Sequence, residues 1–405
     1  MTAAVETGNW LELFTEHLRR HQEAEPWLAK LRENAFARFA ELGFPTPRNE
    51  EWRFTNVAPI ARTKFRNWHA DRLMMTPSEV AEMSEEECER HLGRYAAFDK
   101  NAFVALNTAF LSEGCNAVAL RVPRSVFESP IQITYEASED VTRDPKETAP
   151  PAIHPRTLLL IAPGAQCTIV ETYKGAGHYF TNAVTEIVIG EGAVVDHYKI
   201  QRESPDAYHI ATMQVALGRS ASFTTHNISL GGVLVRNDIG VTLAEGAEAT
   251  VNGLYLVNSN EHVDNHTVID HAKPHGTSHE LYKGILDGHA SAVFNGRIIV
   301  RKDAQKTDSK QTNKNLVLSD DAVIDTKPEL QILADDVRCT HGATIGQLDA
   351  ESLFYLQSRG IGRAQARTLL TQAFAQDIID RIKVTALRED LQKVLFEKFH
   401  ERVND

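Results

Sequence analysis

The sequence predicts a mainly β protein, a solenoid of stacked parallel strands (a β-helix) carried between helical regions at its two ends. Three observations point there. Glycines Gly164, Gly192, Gly218 and Gly246 recur about every 27 residues, each just ahead of a strand-like run. The runs themselves are short and apolar or alternating. Both termini instead carry apolar residues at helical spacing.

At the N-terminus, Trp10, Leu13, Phe14 and Leu18 mark one helix. Leu28, Leu31, Ala35, Phe39 and Leu42 mark a second, with Pro26 at its entry and Gly43 at its close. Pro45 and Pro47 stop it, and the acidic SEEECE run at 84–89 lies in a segment whose periodicity decides nothing. From about residue 116 the runs AVALRV (117–122) and IQITYE (131–136) read as strands. TRDPKETAPPAIHP (142–155), with four prolines among charges, reads as an exposed loop, because proline removes ladder donors.

Between 157 and 335 the repeating turns PGAQCTIV, EGAVVDHY, GRSASFTT and EGAEATVN favour a solenoid, since one coil cannot bury its apolar face alone. A flat β-sandwich remains the alternative on this pattern. After Asp349, a good N-cap, helical spacing returns in Leu353 and Leu356, in Leu370, Phe374, Ile378 and Ile382, and in Leu387, Leu391, Val394, Leu395 and Phe399. That last stripe docks either on the chain's own β body or on a partner. The expected division is 1–115 (helical and mixed), 116–348 (β-helix) and 349–405 (helical).

Bulk properties exclude several classes. A net charge of -12 and a pI near 5.8 argue against nucleic acid as the main partner. The longest aliphatic run, Leu158 to Ala162, is too short to span a bilayer, and the start lacks a basic stretch followed by an apolar one, so a cytoplasmic protein is expected. Cys88, Cys115, Cys167 and Cys339 form no CxxC pair and are expected to be free thiols. No phosphate loop, dinucleotide fingerprint or nucleophile elbow is present.

Two passages could carry chemistry. HVDNHTVIDHAKPHGTSHE supplies His262, His266, His271, His275 and His279 with Asp264 and Asp270, a ligand set suited to zinc, iron or manganese. Its spacing matches no compact metal motif, and an extended strand sends alternate side chains to opposite faces, so structural ladders are the other reading, with His262, His266 and His271 the weak metal candidates. Cys339 and His341 are two apart, which puts both on one face of a strand and within reach of one metal or sulfur species. An inert thiol beside a hydrogen-bonded histidine is the alternative.

The stretch TDSKQTNKNLVLSDDAVIDTKPELQILADDVRCTHGATIGQLDAESLFYLQSRGI (307–361) closely resembles the SufB/SufD family of SUF iron–sulfur assembly proteins. NEEWRFTN (49–56), the histidine stretch ending SHELYKG, and VFNGRIIV (293–300) extend the resemblance over nearly the whole chain. CTHGATIGQLD, with Gly342 where SufB-type chains carry Glu, is similar to the SufD-type side, with a SufB-like subunit as the alternative. The resemblance implies a right-handed parallel β-helix and a non-catalytic scaffold with no cofactor of its own. It further implies pairing with SufB through the β-helix ends and binding of the ABC-type ATPase SufC through the C-terminal helices, with Leu387, Leu391, Leu395 and Phe399 as the candidate face. Cys339 and His341 match positions at the SufB–SufD interface where a transient iron–sulfur cluster forms. Whether the isolated chain forms a homodimer stays open. Rivals from other classes are a metalloenzyme built on the histidine stretch and a β-helical carbohydrate-binding or lyase protein.

Overall fold

The computed structural model describes residues 8–21, 25–68, 71–112, 117–137 and 149–404, without the side chains of residues 8, 71–73 and 399–404. Cys115, the first half (142–148) of the proline-rich 142–155 passage and the Phe399 side chain lie outside the described residues. Helices α1 (Gly8–Arg20) and α2 (Pro26–Leu42) open the chain, as their apolar spacing predicts. A 3-10 turn (Glu50–Trp52) and α3 (Ala58–Arg62) follow, then short strands β1 (Arg66–Asn67), β2 (Asp71–Met75) and β3 (Ala81–Glu82). The undecided acidic run is helix α4 (Glu85–His91). Ser84 and Glu87 close a capping box there, which satisfies the first free amides. Helix α5 (Ala102–Ala109) precedes the solenoid.

The solenoid begins with β4 (Ala117–Val122), β5 (Ile131–Ala137), β6 (Pro151–Ile153) and β7 (Arg156–Ile161). Its regular coils are β8 (Gln166–Gly175), β9 (Phe180–Ile189), β10 (Val194–Arg202), β11 (Tyr208–Leu217), β12 (Ser222–Ser229), β13 (Leu234–Leu243) and β14 (Glu248–Val257). They continue through β15 (His262–His271), β16 (Thr277–Leu286), β17 (Ser291–Val300), β18 (Asp308–Val317), β19 (Val323–Ile332) and β20 (Arg338–Gly346). From β8 onward, odd strands pair in parallel in one sheet and even strands in the other, so the chain alternates between two facing sheets. This is a parallel β-solenoid of about seven turns, and the sandwich alternative is excluded by the parallel ladders. At the N-terminal end β2 and β3 pair antiparallel with β5 and β4 and terminate the stack.

Two sequence expectations need correction. Pro151–Ile153, expected in an exposed loop, is a buried strand between β1 and β9, because a three-residue strand needs few of the donors proline lacks. The glycine column is a corner at which one residue per coil takes a left-handed backbone: Gly164, Gly192, Ser220, Gly246, His275 and Lys306, with φ of 54° to 70°. In the third coil Ser220, not Gly218, holds that place. Each donates its amide to the corner of the following coil at 2.7–3.0 Å. That bond stabilises the conformation even where the residue is not glycine.

Helical layers cover both outer faces. Trp10, Phe36, Phe39, Phe103 and Phe110 pack on Phe180, Ile210 and Leu234 of the odd sheet. Buried Glu186 of β9 accepts the amides of Tyr95 (2.9 Å) and Ala96 (2.8 Å) and pairs with buried Arg156 (2.5 Å), fastening that layer. Helices α6 (Ala350–Ser358), α7 (Arg363–Ile379) and α8 (Thr385–Asn404) close the chain, and α7 and α8 lie on the even sheet.

The solenoid interior is apolar along its edges and polar along its middle. Glu171 accepts from Thr157 (2.7 Å), Tyr173 (2.9 Å) and Thr185 (2.9 Å), and Lys199 meets His209 (2.9 Å) and Asn237 (2.5 Å). Farther along, Glu280 of β16 is fully enclosed. Burial pushes its carboxyl up to about 7, although hydrogen bonds from Thr267 and Gln311 oppose the rise. Glycines make room for large rings: a Cβ on Gly284 would stand 2.3 Å from the Tyr255 ring, and one on Gly253 2.1 Å from that of Tyr282.

Gly284→Ala should therefore destabilise by roughly 1–3 kcal/mol or more through overpacking. Gly192→Ala, with nothing within 4 Å of the new methyl, should cost about 1 kcal/mol for the left-handed backbone alone. Urea denaturation of the two variants checks the order. For Glu280, the unfolded carboxyl ionises near pH 4.5 and the folded one near 7. Stability from this group is thus full below pH 4.5 and falls as pH rises to 7. Glu280→Gln should remove that slope and exceed wild type above pH 7 by on the order of 3 kcal/mol, read as melting temperature against pH.

Candidate functional site

The histidine stretch is β15 and the corner after it, and the pleat separates its members. His262, Asp264 and His266 face outward toward the N-terminal layer. His262 meets Thr55 (2.9 Å) and Ser291 (2.7 Å). His266 pairs with Asp264 (3.0 Å) and Glu51 (3.4 Å), and Arg236 bridges Asp264 (2.6 Å) and Asp238 (2.8 Å) while stacking 3.8 Å over Trp52. Burial works against a charged His266 ring, yet the two carboxylates hold its pKa up at about 9. The hydrogen bond from His266 holds Glu51 down at about 2. His271 faces inward, and burial lowers it to about 4. His275 forms the left-handed corner, and His279 is exposed on the outer face of β16.

Among the described residues, no three or more His, Cys, Asp or Glu side chains come together as a group that could hold a metal ion. His262, His266 and His271 are therefore not brought together, and His262 and His266 belong to an ionic clasp joining the N-terminal segment to the solenoid. Arg236, and Arg297, which pairs with Glu51 (3.0 Å), are members that sequence reasoning missed, because Asp264, Trp52 and Glu51, which draw them into the clasp, lie far away in the chain. Beside the clasp runs a groove of about 770 Å³, walled by Trp52, Lys100, Gln214, Asp238, His266 and Arg297.

The C-terminal end of the solenoid differs from the other end. Here, among the described residues, β19 pairs only with β17 and β20 only with β18, so both sheets finish in edges that no described strand covers. Val323, Leu333 and Ile345 there are each more than half exposed. Cys339 and His341 sit on β20 and share its inward face, as their spacing predicts. Cys339 packs against the edge of the interior core and remains half-buried. Burial, aided by Asp308, raises its thiol.

Behind Cys339 stand Ser309, Ser278 and His271, linked at 2.7 and 2.9 Å. Behind His341 stand Gln311 and Glu280, linked at 2.6 Å. Cys167, in the same interior column at the far end, is buried, and its thiol is pushed up to about 12. The open end thus presents one reachable thiol and one imidazole, a set suited to iron or sulfur and incomplete by itself.

The C-terminal helices correct a further expectation. Leu391 and Leu395 are buried with Ile378, Ile379 and Ile382 against Tyr198, Ile228, Leu254 and Ile285 of the even sheet, and Leu387 packs at the margin. The face expected to be free for a partner is taken by the chain itself. Ion pairs ring this contact: Lys283–Asp377 (3.1 Å), Lys383–Asp196 (2.8 Å) and Arg202–Asp390. Helix α6, capped by Asp349 as expected, instead exposes Phe354 (74%) and Tyr355 (57%).

No helix among the described residues is long and apolar enough to cross a membrane. Residues 143–374 match the profile of the SUF system FeS cluster assembly SufBD core domain, and residues 5–76 match that of the SufBD protein N-terminal region. The chain is 33% identical to an iron–sulfur cluster assembly SufBD family protein of Synechocystis, over 90% of each chain. It is 29% identical to the iron–sulfur cluster assembly protein SufD of Escherichia coli, over 94% of each. It is 32% identical to the chloroplastic protein ABCI7 of Arabidopsis thaliana, over 70% of this chain and 58% of that one. With the core profile spanning more than half of its length on a parallel solenoid, the chain belongs to the SufB/SufD family of SUF-system iron–sulfur cluster assembly proteins.

Proposed function

We propose that the chain is the SufD-type subunit of a SUF scaffold, without catalytic activity of its own. In this reading it pairs with SufB through its open end and binds the ATPase SufC through α6. The observation that carries this is the asymmetry of the solenoid. Among the described residues one end is closed by antiparallel strands, whereas the other leaves two strand edges and exposed apolar residues, which invite a second chain. In the absence of SufB, a second copy of the chain is the natural substitute at that end. Near-full-length kinship with the E. coli protein named SufD, and Gly342 after His341, favour SufD over SufB.

Cys339 and His341 contribute a thiolate and an imidazole to a cluster held as cargo between the two subunits. A cluster commonly takes four protein donors, so SufB supplies the remainder. ATP hydrolysis belongs to SufC. Force applied at α6 passes into α7 and α8, which are clamped to the even sheet, and β20 is the last strand of that sheet. Movement of SufC thus reaches the strand that bears both donors.

The Cys339→Ala/His341→Ala chain should still assemble with SufB and SufC yet build markedly less cluster, read by absorbance and iron content; an unaltered yield removes both residues from the reading. Truncation after Gly360 would strip the apolar face of the even sheet, so point changes are the cleaner probe of SufC binding. Phe354→Ala/Tyr355→Ala should weaken co-purification of SufC by at least about tenfold while SufB still binds. Retained SufC would move its site away from α6.

A further inference from the structure

We propose that the buried Glu280–Gln311 pair is a positioning device for His341, holding its imidazole in one tautomer so that one ring nitrogen stays bare for iron or a sulfur species. This rests on the reading above, in which His341 serves the open end. Glu280, Gln311 and His341 occupy one inward column on β16, β18 and β20, in register from coil to coil. The first two are enclosed, 3% and 1% exposed. Gln311 donates from Nε2 to Glu280 Oε2 at 2.6 Å.

A carboxyl oxygen accepting that bond decides which way the amide points, leaving Gln311 Oε1 for another partner. Among the described residues that oxygen is buried and has none. Its place is built in: a Cβ on Gly296 of the facing sheet would stand 2.3 Å from Gln311 Nε2, so only glycine there leaves room for the amide. The strand beyond is β20, and the residue in register is His341.

An amide oxygen only accepts, so the ring nitrogen that turns toward it must carry the hydrogen, and the opposite nitrogen then keeps its lone pair. A ligating histidine oriented through its other nitrogen is the usual way such a ring is held. The neighbouring column cannot do the same for Cys339. Ser309 and Ser278 carry hydroxyls that donate or accept alike, and so impose no direction.

Long-range nitrogen–proton NMR of the full chain labelled with ¹⁵N-histidine reads the tautomer directly, with the His341→Ala chain identifying the signals. At pH 8.5, above the ordinary histidine range of about 6.5, wild type should show His341 biased about fivefold or more toward one tautomer, the worth of one net hydrogen bond. Gln311→Leu should lose that bias. Glu280→Met/Gln311→Leu, which leaves no buried carboxyl unpaired, should lose it too and guards against misfolding of the single variant. Glu280→Asp should retain it. An unbiased ring in wild type, or a bias unchanged in both leucine variants, overturns the proposal. Cluster yield plays no part in this measurement, so failure of the functional reading registers separately, in the Cys339→Ala/His341→Ala chain.

Discussion

The constraint on which the rest of this structure depends is the in-register stacking of coils. Each turn pairs residue for residue with the next, from Gln166↔Val194 to Leu316↔Gly346, and neither buries its apolar face nor satisfies its backbone without a neighbour on each side. Such a stack propagates without limit unless something stops it. The antiparallel strands β2 and β3 stop it at the N-terminal end, where the twist and hydrogen-bond pattern of an antiparallel pair cannot template another parallel coil. Among the described residues nothing does so at β19 and β20, and that difference gives the molecule a direction.

Register also explains why chemistry gathers at the open end. In a solenoid a position is a column, and columns carry the character of one coil into the next. The inward columns of the last coils turn polar, from Ser278 and Glu280 through Ser309 and Gln311 to Cys339 and His341. Buried polar groups are costly unless bonded, and here they bond along the column at 2.6 and 2.7 Å. The final coil converts interior positions into surface positions. Where the column is covered, as at Cys167 beneath the N-terminal strands, a thiol is buried; at the uncovered end it becomes reachable.

The outer faces carry the load-sharing. On the odd sheet the N-terminal layer is held by aromatic packing around Trp10 and by ionic fastenings that include Arg156–Glu186, the Arg236–Asp264–His266–Glu51 clasp and Lys327–Glu50. Buried charges of this kind add little net stability against apolar replacements but penalise any other placement of the layer. On the even sheet α7 and α8 sit over a wide aliphatic patch rimmed by lysine and arginine pairs. α6 projects with Phe354 and Tyr355 exposed, whereas α7 and α8 bury Ile378, Ile379, Leu391 and Leu395 on the sheet, which divides reaching and anchoring between different helices.

By itself the sequence determined what depends on near neighbours along the chain: the terminal helices, the cap at Asp349, the recurrent corner, and the shared face of Cys339 and His341 on one strand. These follow from local periodicity, which fixes which side chains lie together on an element. Its wording across 307–361 was distinctive enough to indicate the family. The tertiary structure alone decided what covers each face. Leu391 and Leu395 form an apolar stripe whether a partner or the chain's own sheet lies opposite, and His262 and His266 look like metal ligands until Thr55 and Glu51, more than 200 residues earlier, are seen to occupy them. Ser220 could hold a left-handed corner because Glu245 in the next coil accepts its amide, a bond that exists only once the coils have stacked.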